Sequence, residues 1–298
     1  MKTYYDYMNE ISSDELFEGL LGYGLFTDKI PDIFTSEMFY DYCKNKISRR
    51  KYEQKGRDYV RYETMRNTNT IRNLAIPSPF AYANLCLYIS NNWDKFQIHF
   101  KNKANNQDYK RSRIHIQKIC ESKCIFKMSH SYKEKDQEIE NIIQKLPITK
   151  RYRVEADISS CFPSMYSHAL AWALVGKEEA KKNKDKKELW FNILDFYSRN
   201  IKNEETNGLL IGPHSSNLLS EIILTCIDDK LCSNYQYYRN IDDFTCYTQS
   251  EEDAERFLLD LSQALKDFEL TLNIKKLGLL NYLFRPNPTG FVHLIAFP

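Results

Sequence analysis

The clearest hydrophobic pattern lies in the second half of the chain. An apolar run with the spacing of one helical face predicts a long helix there, and it consists of Leu218, Leu219, Ile222, Ile223 and Cys226. Residues 237–241 and 244–247 are rich in β-branched and aromatic side chains, which favour extended strands. The polar stretch between these two strands predicts a β-hairpin whose tip lies at residues 240–243.

Asp242 and Asp243 lie side by side at the tip of this predicted hairpin. Asp and Asn are common turn residues, so a solvated turn is an alternative interpretation. The same Ile-Asp-Asp tripeptide recurs at residues 227–229, where it continues the helical run. Its acids are expected on the solvated face of that helix or at its end. A functional interpretation of the hairpin tip therefore needs a third carboxylate, which would complete a site for divalent cations.

Asp157 is the candidate for this third carboxylate. Residues 151–157 predict a strand that runs into a turn and then a helix, which places Asp157 at the end of the strand. Acids at the end of one strand and at the tip of a neighbouring hairpin can meet in space although 85 residues separate them in sequence. Three carboxylates are a workable minimum for two metal ions about 3.5–4 Å apart.

A loop with two glycines precedes the predicted long helix. Gly208 and Gly212 permit close approach of the backbone to a ligand, and Ser216 follows where the helix begins. Such a loop suits a template–nucleotide pair that lies against backbone and small side chains. An ordinary Gly-Pro loop is equally compatible with the segment taken alone.

Composition narrows the classes of function. The chain has 298 residues, 42% apolar residues and a net charge of +2, so it can bury a core, and a nucleic-acid surface has to be a local patch. Residues 44–72 and 101–133 are such basic segments. Tyrosines in residues 44–72 suit base stacking, although a solvated helix is an equal alternative. In residues 101–133, the alternation around His115 predicts a strand with a solvated, positive face. The eight cysteines have no paired spacing and the chain has no signal peptide, which indicates a reducing cytoplasm. No apolar run approaches the ~18 residues of a membrane helix.

Five segments, taken in order, resemble the motifs of reverse transcriptases. They are Arg72-Asn-Leu-Ala-Ile-Pro77, Asp157-Ile-Ser-Ser-Cys-Phe162, Gly208-x-x-x-Gly212-x-x-x-Ser216, Asn240-Ile-Asp242-Asp243 and Leu272-Asn273-Ile-Lys275-Lys276. The first resembles the fingers strand, the second and third resemble two palm motifs, the fourth resembles the Y-x-D-D turn, and the fifth resembles the L-N-x-x-K-T motif. The resemblance covers roughly residues 70–276. Residues 159–166 and 212–217 are similar to the bacterial abortive-infection (anti-phage defence) branch.

The resemblance implies an α+β fold, that of a right-hand polymerase. Residues 1–150 would form an N-terminal extension and the fingers, and residues 151–276 would form the palm, with an antiparallel sheet and helices. The implied reaction is Mg²⁺-dependent deoxynucleotidyl transfer in anti-phage defence. Its partners would be dNTPs and an RNA or DNA strand, without a membrane, and a homo-oligomer is left open.

The resemblance also implies roles for single residues. Asp157, Asp242, Asp243 and the carbonyl of Ile158 would bind two Mg²⁺ ions. Phe162 would exclude a 2′-hydroxyl, Arg72 would contact the incoming nucleotide, and Lys276 would assist the departure of pyrophosphate. Gly212 and Ser216 would contact the nucleotide.

The chain departs from the family pattern in three places. Asn240 replaces the usual tyrosine before the acids, and Leu210 and Ile211 replace the Pro-Gln of the second palm motif. Because that glutamine lies near the template–nucleotide pair in templated enzymes, both templated synthesis and the untemplated, protein-primed synthesis of the abortive-infection branch stay open. Residues 277–298 are expected to form an irregular tail without a thumb or C-terminal helical region, which leads to the hypothesis of a truncated or frameshifted product.

Two other classes of function are compatible with parts of the sequence. A catalytically inactive, truncated nucleic-acid-binding module would keep the two basic segments. A metal-dependent nuclease would also cluster carboxylates, but it gains nothing from Phe162 or from the loop at residues 208–216.

Overall fold

The computed structural model describes residues 2–26, 30, 33–46, 55–65, 71–121, 123–128, 144–286 and 292–296. Within these residues, helices mix with strands that pair only in antiparallel sheets. The predicted α+β class with an antiparallel sheet is therefore confirmed. No helix of the described residues is both long enough and apolar enough to cross a membrane.

The first half of the chain is mostly helical. Its helices are α1 (Tyr4–Asn9), α2 (Ser13–Glu18, extended by a π-helical turn over Gly19–Tyr23), α3 (Glu37–Lys46), α4 (Pro79–Asn91) and α5 (Trp93–Ala104). Two separate hairpins accompany them, β1 (Val60–Met65) with β2 (Ile71–Ile76), and β3 (Ile116–Glu121) with β4 (Lys123–Met128). Strand β2 ends before Pro77, because proline lacks the backbone N–H that a strand needs for pairing. Pro79 opens α4, because the fixed φ of proline suits the first helical position.

The second half contains the larger sheet and the helices against it. Its elements are β5 (Tyr152–Asp157), α6 (Cys161–Ser164), α7 (Ala169–Val175), α8 (Lys177–Lys182), α9 (Trp190–Asn200), α10 (His214–Leu231), β6 (Tyr237–Asn240), β7 (Asp243–Thr248), α11 (Glu251–Lys266), β8 (Gly278–Pro286) and β9 (Val292–Ala296). The strands form one antiparallel sheet in the order β6-β7-β5-β8-β9. Helix α11 packs against β5 and β7.

The end of the chain differs from the sequence expectation. Residues 277–298 were expected to be irregular, but β8 pairs with β5 and β9 pairs with β8. The physical reason is the open edge of β5, whose backbone groups need partners on the side away from β7. Leu279, Leu280, Tyr282, Leu283 and Phe284 supply the residue types that favour a strand there.

Helix α10 is the predicted long helix, and it runs through the interior. Its apolar residues are buried, and so are Glu221, Thr225 and Asp228. The expectation that Asp228 lies on a solvated face is therefore wrong, since its side chain is 1% exposed. Only Asp229 of the repeated Ile-Asp-Asp tripeptide reaches the surface, where it pairs with Lys103. A buried acid in a helix requires a cation, which the candidate site supplies.

The two basic segments differ in how far they match the expected solvated surfaces. In residues 101–133, the side chains of Lys110, Arg111 and His115 are buried, so the predicted solvated position is wrong for His115, while the side chains of Gln117 and Lys118 lie outside the described residues. Arg111 packs its guanidinium over the ring of Tyr109, and its Nη2 donates to the carbonyl of Cys232. Parts of the segment 44–72 lie outside the described residues. Within its described part, Tyr62 is exposed on β1, and the guanidinium of Arg61 lies over the ring of Tyr59.

Candidate active site

Three carboxylates meet at one end of the large sheet. Asp157 ends β5, and in the antiparallel register it stands opposite Asp243, the first residue of β7. Asp242 precedes it in the turn, where its carbonyl accepts the N–H of Ile158 at 3.2 Å. One ligand oxygen from each of Asp157, Asp242 and Asp243 lies within 4.8 Å of the other two. The structure thus brings together the three acids that the sequence singled out.

The turn between β6 and β7 contains a strained residue. Ile241 has a φ of 58°, in the left-handed region that β-branched residues rarely adopt. Nη1 of Arg239 donates to the carbonyl of Ile241 at 2.9 Å. A conformation of this kind costs on the order of 1–3 kcal/mol and persists only where the surroundings hold it, so Arg239 is the group that stabilises the turn carrying the two acids.

Arg239 is itself held by buried acids of α10. Its guanidinium is fully buried; Nη2 contacts Asp228 Oδ2 at 2.6 Å, and Nη1 contacts Glu221 Oε1 at 2.8 Å. The hydroxyl of Tyr237 donates to Asp228 Oδ1 at 2.9 Å. Although burial lowers the pKa of Arg239, the two carboxylates outweigh this, so its pKa lies well above the ordinary value. The hairpin is therefore anchored to the central helix by charge-assisted hydrogen bonds in the interior.

Asp157 is fixed by the segment after α11. The backbone N–H of Asn273 donates to the carbonyl of Asp157 at 2.8 Å, and Asn273 Nδ2 donates to Asp157 Oδ2 at 3.0 Å. Nζ of Lys276 lies 3.0 Å from the same Oδ2. The other carboxylate oxygen, Oδ1, is buried and has no hydrogen-bond partner within the described part of the chain. Asp157 thus keeps one oxygen for a ligand.

The electrostatics of the site reflect crowding of like charges. Partial burial, followed by the Asp242 carboxylate and a hydrogen bond with Asp157, raises the pKa of Asp243 to about 6, whereas Lys276 lowers it. Burial and the charge of Asp157 likewise raise the pKa of Asp242, against the effects of Lys276 and Arg72. The hydrogen bond to Asp157 raises the pKa of Lys276. A positive ligand among the three acids would relieve this repulsion.

These residues fit a divalent cation. All three donors are carboxylate oxygens, the ligands that Mg²⁺ prefers, and the orphaned Oδ1 of Asp157 belongs to this group. Asp157 is buried, Asp242 is half-buried and Asp243 is exposed, so the cluster opens to solvent on one side. That arrangement leaves room for a substrate beside the acids.

Two of the predicted nucleotide contacts, Arg72 and Phe162, lie on elements other than the strands that carry the acids. Arg72 lies on β2, and its charge acts on Asp242. Ala75 of the same strand donates its N–H to the carbonyl of Ile211 at 2.8 Å, which joins β2 to the two-glycine loop. Phe162 lies half-buried in α6, where its carbonyl accepts the N–H of Leu209 at 2.7 Å.

The remaining predicted residues have different positions. Gly212 is half-buried with a φ of 138°, a value that suits glycine. Ser216 is 1% exposed, inside α10, so the structure does not present its side chain to a nucleotide. Ile158 is buried, and its N–H bonds to Asp242. The role of its carbonyl as a metal ligand stays a prediction.

Sequence reasoning missed the residues that hold the acids in place. They are Asn273, Arg239, Glu221 and Asp228. Asn273 belongs to the motif that contains Lys276, and Arg239 immediately precedes the hairpin tip, so both positions carry a signal in the sequence. The pairing of Arg239 with Glu221 and Asp228 has no local signature in the sequence.

Comparisons with known proteins extend these observations. The family model for reverse transcriptase (RNA-dependent DNA polymerase) matches residues 82–286, which include all three acids. No curated protein matches the sequence. Among solved structures, apo telomerase from Candida tropicalis is similar with a TM-score of 0.48 and 12% identity, over 88% of this chain and 52% of the telomerase chain. This chain therefore spans about half the length of that protein.

The fold and the carboxylate cluster define an α+β protein with the donor set of a metal-dependent enzyme. Because the matched region covers more than half of its residues, the chain belongs to the reverse transcriptase family of RNA-dependent DNA polymerases.

Proposed function

We propose that this chain catalyses Mg²⁺-dependent deoxynucleotidyl transfer at the site formed by Asp157, Asp242 and Asp243. The observation that carries the proposal is the convergence of these three carboxylates, with one oxygen of each within 4.8 Å of the others. The family of the chain supports the same reaction class. Its substrates would be dNTPs and a nucleic-acid or protein hydroxyl.

The three acids would bind two Mg²⁺ ions, which lower the pKa of the attacking hydroxyl and neutralise the triphosphate. Around them, Lys276 keeps a protonated amine next to Asp157, where it would face the leaving pyrophosphate. Arg72 adds a second positive charge on the opposite element, for the phosphates of the incoming nucleotide. Phe162 would pack beneath the sugar and favour deoxynucleotides.

Incorporation of labelled dNTPs tests this reaction. Asp242→Asn keeps the size of the side chain and removes its charge, so we expect incorporation to fall by about 10²–10³-fold, as for the loss of one electrostatic element of an active site. Asp229→Asn removes a carboxylate on the surface of α10 and serves as the matched control, with activity unchanged. Full activity of Asp242→Asn, or full activity in EDTA, would contradict the proposal.

The mode of synthesis is the second part of the proposal. Ile211, which stands at the position of the family's glutamine, is half-buried and apolar, so its side chain offers no polar group to a template. We propose untemplated synthesis primed by a protein hydroxyl, as associated with the abortive-infection branch. Incubation with Mg²⁺ and a single dNTP would leave DNA attached to the protein on a denaturing gel. Incorporation that requires an added primer and template would instead establish templated synthesis.

The biological role follows from the resemblance of residues 159–166 and 212–217 to the anti-phage defence branch. We propose that synthesis in the cytoplasm limits phage growth. Cells that express the wild type should give fewer plaques than cells that express Asp242→Asn, and equal plaque counts would contradict the role. A protein that binds nucleic acid but never incorporates dNTPs would favour the alternative, an inactive binding module.

A further inference from the structure

We propose that this protein binds single-stranded nucleic acid in a second groove, outside the carboxylate site. The groove is a cavity of about 930 Å³ between α7, the segment 180–187 and α9. This volume falls in the upper part of the ~300–1,000 Å³ range of ligand pockets. None of the three acids, Arg72 or Lys276 lines it. We call it the α7–α9 groove.

Basic side chains form one rim of the α7–α9 groove. Lys181, Lys184 and Lys187 line it and are exposed, and none of them forms an ion pair with a residue in the described part of the chain. Nζ of Lys181 also lies 5.9 Å from the ring centroid of Trp172, whereas the exposed amines of Lys184 and Lys187 are the groups to test for ligand binding. Lysine amines are groups that neutralise the phosphates of a nucleic-acid backbone.

The acids of the groove do not cancel this charge. Asp195 is buried between Nδ1 of His168 at 3.0 Å and Nε of Arg199 at 3.1 Å. Burial raises the pKa of Asp195, but the hydrogen bond and charge of His168, with Arg199, outweigh this and lower it. Glu204 accepts the backbone N–H of Gly56 at 3.0 Å. Four cations (Lys181, Lys184, Lys187 and Arg199) thus line the groove against two acids, so the lining keeps a net charge of +2 and attracts anions.

Aromatic side chains also line the α7–α9 groove, together with the lysines of its rim. Tyr166 and Trp172 lie with ring centroids 5.9 Å apart, and Phe196 and Tyr197 lie 5.4 Å apart. Tyr166, Phe196 and Tyr197 are half-buried, so part of each ring faces outward. Basic residues that follow a backbone, combined with rings on which bases stack, are the features of sites for single strands. A duplex hides its base faces and would gain nothing from the rings.

A charge-matched pair of variants tests the groove. Lys184→Gln with Lys187→Gln removes two lining amines, and Lys182→Gln with Lys186→Gln removes two exposed amines of the same segment that do not line it. Binding of a labelled single-stranded oligonucleotide is measured against salt concentration. The slope of log K against log salt is negative, and we expect its size to decrease by about 1.4 for the Lys184 and Lys187 pair, at about 0.7 per lost contact. For the Lys182 and Lys186 pair it should stay unchanged. Equal effects of the two pairs would overturn the proposal.

Base stacking provides the second measurement. An abasic oligonucleotide keeps the phosphates and lacks bases, so we expect the wild type to bind it more weakly, and Phe196→Leu to weaken binding only of the normal strand. Ultraviolet crosslinking of a bromouracil-containing strand should modify the tryptic peptide at residues 188–199. Equal affinity for both strands, or crosslinks confined to other peptides, would overturn the assignment.

Binding in the α7–α9 groove can be separated from catalysis at the carboxylate site. Asp242→Asn should keep the oligonucleotide affinity and its salt slope, whereas the groove variants should incorporate a single dNTP at the wild-type rate. Competition by free dNTPs that abolishes oligonucleotide binding in the groove would show a nucleotide site and overturn the choice of ligand.

Discussion

The buried ion pairs behind the hairpin lead to a prediction that contrasts two neighbouring acids. Asp228 and Asp229 are adjacent in a repeated tripeptide, but their environments differ. Asp228 is 1% exposed and bonds Arg239, whereas Asp229 is 22% exposed and pairs with Lys103, which is 30% exposed. We expect Asp228→Asn to destabilise the protein strongly and Asp229→Asn to have little effect.

The magnitudes follow from burial. Removing one partner of a buried pair typically costs about 3–5 kcal/mol, because the other charge is left in the interior. Glu221 remains next to Arg239, so we expect the lower end, about 3 kcal/mol. A partly exposed pair such as Asp229 with Lys103 contributes about 0.2–1 kcal/mol. The difference of about 2 kcal/mol exceeds a tenfold change in the unfolding equilibrium.

Urea unfolding of both variants measures this difference, and incorporation kinetics measure its consequence. If Arg239 holds the strained turn at Ile241, Asp228→Asn should lower kcat under conditions where the protein is still folded, with a smaller effect on the KM for dNTP. Similar free energies of unfolding for the two variants would refute the buried-anchor reasoning. A destabilised Asp228→Asn with wild-type kcat would refute the link between the anchor and the active acids.

Three further predictions concern other parts of the structure. Asp243→Asn should raise the Tm in EDTA, because it relieves repulsion among the three acids, and it should reduce the rise in Tm that Mg²⁺ gives the wild type; calorimetry measures both. Burial lowers the pKa of His99 to about 4, although a hydrogen bond to the carbonyl of Ile222 acts in the opposite direction. Below about pH 6.5 the unfolded state therefore binds a proton that the folded state does not, and the free energy of unfolding falls. In urea unfolding, His99→Gln should therefore lose about 2.5 kcal/mol less stability than the wild type between pH 7.5 and 4.5, while the loss from His115, whose pKa burial also lowers, is present in both proteins. Gly208→Ala should destabilise more than Gly176→Ala in thermal unfolding, because both glycines have a positive φ but only at Gly208 would the new Cβ meet a backbone atom, the Pro163 carbonyl oxygen at 2.8 Å.

The sequence predicted the features that depend on local residue types and spacing. Apolar residues at helical spacing predicted the helix now called α10, and Asp157, Asp242 and Asp243 were identified because acids at a strand end and a hairpin tip are recognisable in a chain with ordered motifs. The structure places these three acids together. Their catalytic roles await the incorporation assay.

Features that depend on desolvation could not be predicted in the same way. A lysine, histidine or aspartate in a polar segment indicates solvent unless its partner is known. Asp228 is paired with Arg239 of the following hairpin, and His115 contacts Lys110 and the ring of Tyr7, and no helix or strand period predicts these contacts. Asp228 is buried because Arg239 lies against it, and the side chain of His115 is buried rather than solvated. The same limit applied to Ser216, whose place in the interior depends on what packs around α10.

Local residue types thus determined which acids this protein brings to its candidate active site and which long helix supports them. Tertiary structure alone decided what holds the acids there, and it turned the expected irregular tail into two strands. The physical reason is that hydrogen bonds between distant strands, and the free energy of burying a charge, depend on which surfaces meet in space, whereas helix and hairpin patterns depend on neighbours in sequence.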